Sequence, residues 1–490
     1  MSSYEAVIIG SGFGGQCAAI ELLKKGITNF VILERRSFVG GTWCQNRYPG
    51  AAVDVPSPLY SISFEPYRWT QMFAEQAELE EYTKHIFTKY ALQGKTELNS
   101  NVLGVRWDVD KSCWKIDIEN KEAITAKFLI NASGPLSTPA FPDFKGMNTF
   151  KGKSFHTNNW DPDYDHTGKR VAIIGSGASA AQVIPAIAAD VKHLHVFQRS
   201  PHWVLPRHDR AFNPFQRFLL GIKPLYFLLR VLIYWSLEIR VIGFKYSKTL
   251  LNVVARREAI KFIGKSIKDP VLREKLTPDF DIGCKRIILS STLYPALCRE
   301  NVTLMTREQG IREITETGLI TEDGQAVDLD LIVYSTGYIA TDGVISYPVI
   351  GKTGSTLLEF WSEFPRAYLG TMIPNFPNLF IVTGPNTGIG HTSAIFIIES
   401  QIRYIAESIL RAQATKTGTI EVTAEAEERY TTMIHHEMEK TVWADGGCSS
   451  WYKSKSGKVI AMFPGFSFSY RRLARNFKPD DHQIGGVKAS

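Results

Sequence analysis

The sequence predicts an α/β protein with two dinucleotide-binding, Rossmann-like halves and a helical insert in the second. Three observations predict it. The chain has 490 residues, more than one compact core accommodates. A glycine-rich turn between an apolar strand and a helix-like run occurs twice, in YEAVIIGSGFGG and in RVAIIGSGASAA. Each turn is followed downstream by alternating apolar segments ending in a small-residue pair, Ser133-Gly134 and Thr336-Gly337.

The first turn reads Gly10-x-Gly12-x-x-Gly15, then QCAAIELLKKG, then FVILE ending on Glu34. Gly10 permits the tight turn, Gly12 lets backbone approach a pyrophosphate, and Gly15 lets helix and strand pack closely. Glu34 stands where a carboxylate accepts hydrogen bonds from a ribose diol. The second turn reads Gly175-x-Gly177-x-x-Ala180, and its second strand, HLHVFQRS, ends on Arg199 and Ser200. A carboxylate would repel a 2′-phosphate, whereas arginine clamps one. The first site therefore suits FAD and the second NADPH.

Segments VLGVRWDV, CWKIDIE and AKFLINASG read as a β-meander, and VTLMTR, IREITE and LDLIVYSTGY repeat the theme. This near-duplication resembles flavoproteins in which the C-terminal part of the chain closes the FAD domain. The expected division is 1–145 and 339–490 for the FAD domain, 146–165 for a linker, and 166–338 for the NADPH domain. The helical insert covers about 205–280.

The composition, 44% apolar and 21% charged, is that of a folded globular chain. A net charge of +7 with no concentrated basic face or motif gives no nucleic-acid partner. Six scattered cysteines without a CxxC pair are expected as free thiols in a reducing compartment. The N-terminal run shows no secretory signal, so the expected location is cytoplasmic. A disulfide reductase would need a cysteine pair beside the flavin, and Cys44 stands alone in GGTWCQNRYPG. No His, Cys and carboxylate set has metal-ligand spacing.

Between the two halves lies FKGKSFHTNNWD, which is Phe150-x-Gly152-x-x-x-His156-x-x-x-Trp160-Asp161. It resembles the fingerprint of type I Baeyer–Villiger monooxygenases. Gly40, Gly41, Trp43, Pro49, Gly50 and Asp54 in GGTWCQNRYPGAAVDVPS resemble the family's second segment, and FPNLFIVTGPNTGIGHTS and GCSSWY its C-terminal landmarks.

The resemblance implies that NADPH reduces FAD, that O₂ reacts at flavin C4a, and that a ketone becomes an ester or lactone. It implies Arg286 as the catalytic arginine, Asp54 as its acidic partner, and Lys285 beside Arg199 at the NADP 2′-phosphate. A fixed guanidinium suits developing negative charge because it keeps its proton and offers a planar donor fork. Thr42 and Trp43 would lie near the flavin, Trp451 near the nicotinamide, and Asn386 and Thr387 in a turn over the flavin ring. His391 reads as a hydrogen-bonded structural histidine. The fingerprint reads as a domain joint, with His156 locking it by hydrogen bonds and Phe150 and Trp160 as anchors. The rival readings are a flavin monooxygenase that oxidises sulfur or nitrogen, and an NADPH oxidase or reductase.

The insert contains LLGIKPLYFLLRVLIYWSLEIRVIGF, apolar and aromatic but interrupted by charge. No window reaches the roughly 18 apolar residues of a spanning helix. One expectation is a helical subdomain packed on the NADPH domain. The other is an interfacial helix pair at 211–245 that touches membrane and gathers lipid-soluble ketones. Hydrophobic ketones are the expected substrates.

Overall fold

A computed structural model describes residues 2–340 and 345–488. The first sheet grows from Ser3–Ile9, whose last four residues are buried. It lies parallel to Phe30–Leu33 on one side and to Ile124–Asn131 on the other. Apolar side chains on both faces are what a strand covered on both sides requires. Val102–Asp108, Cys113–Ile118 and Ile124–Asn131 form an antiparallel meander, as the alternation predicts. Leu379–Ile381, from the C-terminal part of the chain, pairs with the end of Ile124–Asn131. The first sheet is thus completed by the last third of the sequence.

The second sheet has five parallel strands in the order Val302–Met305, His193–Phe197, Arg170–Ile174, Leu331–Tyr334 and Lys153–His156. Both glycine turns leave the carboxyl ends of their strands, where open α/β sheets bind ligands.

Three expectations are corrected. VTLM does not belong to a second meander: it is the outer parallel strand of the second sheet. The separate antiparallel sheet is Ile311–Thr315, Gly318–Thr321 and Ala326–Asp328. A two-residue loop joins the first two strands, so the hairpin forms locally and leaves VTLM to pair with HLHVF.

The insert does not pack on the NADPH half alone. Helix Arg257–Ser266 buries Ile263 against that half. Helix Lys223–Glu238 crosses to the first half, where Arg230 donates to the carbonyls of Pro58 and Ser61 at 2.7 and 2.9 Å. Its Tyr226 hydroxyl accepts from Trp69 Nε1 at 3.2 Å. Buried polar groups require such partners, and the first half supplies them.

Cys284 and Cys448 are not free thiols but a disulfide, with Cα atoms 6.1 Å apart. Their 164-residue separation in sequence hides a proximity that lies within disulfide reach. Cys17, Cys44, Cys113 and Cys298 are free.

Candidate active site

The two turns are built alike. Gly10 at φ 101° faces the Ala132 carbonyl and Gly175 at φ 124° faces the Ser335 carbonyl. A Cβ there would stand 2.6 and 2.2 Å from those oxygens, so neither turn admits a side chain. Gly15 would strike the Gly10 carbonyl in the same way, and Ala180 is fully buried. A Cβ on Gly12 would meet only Gly41 Cα, at 3.6 Å, and one on Gly177 would meet nothing within 4 Å. Both cradles are therefore open where a pyrophosphate would approach.

Glu34 is buried, and its carboxylate accepts from Ser11 N at 3.1 Å, Ser11 Oγ at 2.5 Å and Arg36 N at 3.0 Å. At the matching place in the second half, Lys285 Nζ donates to Ser200 Oγ at 2.8 Å, and Arg199 is exposed. Burial and the neighbouring Arg199 charge together hold the Lys285 pKa below its usual value. Two adjacent cations in a partly dry site are poised for an anion with more than one charge. The residues thus fit a ribose diol in the first half and a phosphorylated ribose in the second.

Arg286 and Asp54, 232 residues apart, meet between the halves: Arg286 Nε donates to Asp54 Oδ2 at 2.8 Å, and Nη2 donates to the same oxygen. Asp54 raises the Arg286 pKa against the opposing effect of burial, so the guanidinium stays charged at any working pH. Its loop is fixed at both ends. Cys284 is tied to Cys448, and Ile288–Leu289 pairs with Val204–Leu205.

Two phenols that the sequence did not single out face the pair. Tyr60 accepts from Trp43 Nε1 at 3.1 Å. Tyr452 is buried and its pKa is pushed up to about 12, chiefly by burial, so it stays protonated. Its position directly after Trp451 was the one signal for it. Trp451 itself is exposed, its ring 4.6 Å from that of Tyr452. Thr42 is exposed at the start of the short helix Thr42–Gln45.

The fingerprint segment joins the halves physically. Lys153–His156 is the edge strand of the second sheet. The residues after it bind the first half: Gln45 Nε2 donates to the Asn158 carbonyl at 2.5 Å, and Asn158 Nδ2 donates to Asn46 Oδ1 at 3.3 Å. Tyr338 donates to the same Asn46 oxygen at 3.0 Å. His156 is buried, its Nδ1 accepts from Asn158 N at 3.0 Å, and burial lowers its pKa to about 4. The neutral, buried imidazole packs edgewise against the rings of Phe141 and Tyr338. Trp160 stacks edgewise on Phe155 with ring centres 4.8 Å apart, and Phe150 packs against the second sheet's other face. Asp161 pairs with Lys153 at 2.7 Å.

The Asn386 amide is bonded within the protein. It donates to the Val459 and Met462 carbonyls at 3.1 and 3.0 Å, while the backbone N–H groups of Asn386 and Gly388 donate to the Ile460 and Ala461 carbonyls between them. Thr387 Oγ1 donates to the Gly384 carbonyl at 2.6 Å. His391 is buried with Nε2 3.3 Å from Glu238 Oε2, on the insert helix.

Two open glycine cradles on separate sheets, with one fixed guanidinium paired across the halves, define a two-domain pyridine-nucleotide oxidoreductase. Consistent with this, residues 4–218 match the family model described as pyridine nucleotide-disulphide oxidoreductase. Disulfide chemistry at the first cradle is not supported. Cys44 has no partner cysteine, and burial pushes its pKa up to about 12. The chain is 43% identical to a Baeyer–Villiger monooxygenase of Pseudomonas aeruginosa over 98% of its own length and 91% of that protein's. It superposes on cyclohexanone monooxygenase from Rhodococcus sp. Phi1 bound to NADP⁺ with a TM-score of 0.89 at 28% identity, covering 99% and 100% of the two chains. An oxidized steroid monooxygenase bound to NADP gives 0.88 at 29% identity, with both chains covered completely. The chain belongs to the Baeyer–Villiger monooxygenase family.

Proposed function

We propose that this protein is an FAD- and NADPH-dependent Baeyer–Villiger monooxygenase that converts hydrophobic ketones and O₂ to esters or lactones. The observation that carries the reading is the Arg286–Asp54 pair, set between the two cradles. Gly10, Gly12, Gly15, Glu34, Thr42, Trp43 and the turn at Asn386 and Thr387 would hold FAD. Gly175, Gly177, Ala180, Arg199, Ser200, Lys285 and Trp451 would hold NADPH. The bound flavin, once reduced, supplies the activated oxygen.

Asp54 orients the Arg286 fork and fixes its charge, and the remaining N–H groups face negative charge developing on substrate and oxygen. Trp43, Tyr60 and Tyr452 narrow the space around the fork and exclude water. His156 and its Asn158–Asn46–Tyr338 network hold the joint between residues 1–145 with 339–490 and residues 166–338. That joint sets how the nicotinamide site moves relative to the flavin site. His156→Ala is expected to keep both cofactors bound while releasing more peroxide per NADPH. Peripheral contact with a lipid surface through residues 211–245 is part of the same proposal, because ketones of low solubility concentrate there.

The test follows NADPH loss, peroxide release and product mass together, with a cyclic ketone, a linear ketone and a thioether. Ester or lactone formed in step with NADPH loss supports the reading. Sulfoxide from the thioether with no ester from either ketone, or NADPH loss with peroxide alone, overturns it.

A further inference from the structure

The insert helix Lys223–Glu238 is packed inside out. Its polar and charged residues Tyr226, Arg230 and Glu238 are buried, and each has a partner. Tyr226 and Arg230 bind the Pro58–Trp69 segment, and Glu238 accepts from Ser467 N and Oγ at 2.5 and 2.7 Å. Leu237 is buried and Leu229 packs on the core, but one stripe of apolar residues points to solvent. Leu225, Leu228, Leu232, Trp235 and Ile239 recur at helical spacing and are 42–61% exposed. The preceding helix, Pro214–Leu220, is capped by Asn213 and bends away by 96°, and it adds exposed Phe215 and Phe218 to the same region. Among the described residues no single helix is long and apolar enough to cross a bilayer. A soluble protein seldom leaves so continuous an apolar face bare.

Beside this face runs a groove of about 830 Å³ between the insert helix and the C-terminal helices. Phe227, Trp235, Phe396 and Phe468 line it, together with Arg403, Arg471, Arg472 and Arg475. Among the described residues none of these four arginines has a carboxylate within ion-pair distance. Glu399, the carboxylate in the lining, is turned to accept from Ser63 N at 2.6 Å. Burial and the charges of Arg475 and Arg403 depress the Arg471 pKa, outweighing the opposing charge of Glu399, as expected for crowded cations. Arg217 and Lys223, on the bend between the helices, are exposed.

Resting on the proposed lipid contact, we infer that this surface docks on an anionic phospholipid bilayer. The leucine–tryptophan stripe and Phe215 and Phe218 enter the acyl boundary, and the arginine groove takes the headgroup phosphates. Aromatic and aliphatic residues on one side with arginines at their edge match the chemistry of that interface. A second copy of this chain fits poorly, because two-fold pairing of the same patch would set arginines against arginines.

The experiment uses the FAD-loaded enzyme and vesicles of phosphatidylcholine, with and without phosphatidylglycerol, in a sedimentation assay. The wild type is expected to sediment with the anionic vesicles, less so at high salt, and weakly with the neutral ones. Arg472→Glu/Arg475→Glu should weaken partitioning more than about tenfold, each arginine near an anionic surface being worth roughly a fivefold change. Leu232→Ser/Trp235→Ser should abolish it. Turnover of a water-soluble ketone and flavin content should be unchanged in both variants, which separates this inference from the proposed catalytic activity. If the apolar variant does not fold, the arginine variant decides. Equal sedimentation with both vesicle types, unaltered binding by the arginine variant, or a dimer dissociated by Leu232→Ser/Trp235→Ser would each overturn the inference.

Discussion

Replacing Arg286 by alanine tests the centre of the proposed mechanism. In the structure the guanidinium spends Nε and one Nη2 donor on a single Asp54 oxygen. That leaves roughly three of its five N–H groups for the reacting centre. Removing a fixed donor that faces developing negative charge costs about 10²–10³ in turnover, or ~3–4 kcal/mol. Here the whole charge is lost and Asp54 is left uncompensated beside the substrate, so ester formation should fall by at least about 10³-fold. Arg286→Lys keeps the charge without the fork and should fall between the two. Flavin reduction depends on the cradles and on Arg199 and Lys285, so it should stay near the wild-type rate in both variants. Stopped-flow absorbance gives the reduction rate, and chromatography of ester gives the oxygenation rate. Ester formed by Arg286→Ala at the wild-type rate would refute the mechanism. Loss of flavin reduction in step with ester would refute the division of labour.

Arg199→Ala and Lys285→Ala should each raise KM for NADPH roughly ten- to hundredfold, the worth of one charge-assisted bond. KM for NADH should barely change, and an equal rise for both coenzymes would remove the phosphate assignment. Gly152→Ala places a Cβ 2.5 Å from the Phe150 ring and 2.8 Å from the Asp330 carbonyl. The ring can turn aside but the backbone cannot, so urea denaturation should register about 1–3 kcal/mol of lost stability. An unchanged midpoint counts against that packing. His156, with a folded pKa of about 4, must be neutral in the native state. Its contribution, up to roughly 3 kcal/mol, is complete above the unfolded histidine value of about 6.5 and is lost as pH falls toward about 4. His156→Asn should flatten the fall in stability between about pH 6.5 and pH 4. A profile identical to the wild type would show that another group sets it.

What could be read from sequence was what is local. Each glycine turn, its helix and its second strand lie within about 25–35 residues, and backbone geometry forces the glycines in place. The meander of the first sheet was legible from alternation, as was the open space at Gly12 and Gly177. The Arg286–Asp54 contact bridges 232 residues and carries no periodic signal, so only the family resemblance pointed to it. The partners of the Asn386 amide, the carbonyls of Val459 and Met462, arrive from a distant loop and carry no local signal. The insert was the hardest to place. Apolar residues at helical spacing normally mark the buried stripe, yet here Tyr226, Arg230 and Glu238 face inward, satisfied by groups from two other segments. Nothing within a helix states which face will find partners.

The bond between Cys284 and Cys448 limits how the molecule can articulate. It fastens the loop of Lys285 and Arg286 to the strip of chain carrying Trp451 and Tyr452. It acts together with the other ties between the halves, the Arg286–Asp54 pair and the Gln45–Asn158 contact. A displacement of the Lys285–Arg286 loop therefore draws Trp451 and Tyr452 along with it, so the groups around the guanidinium shift as one piece.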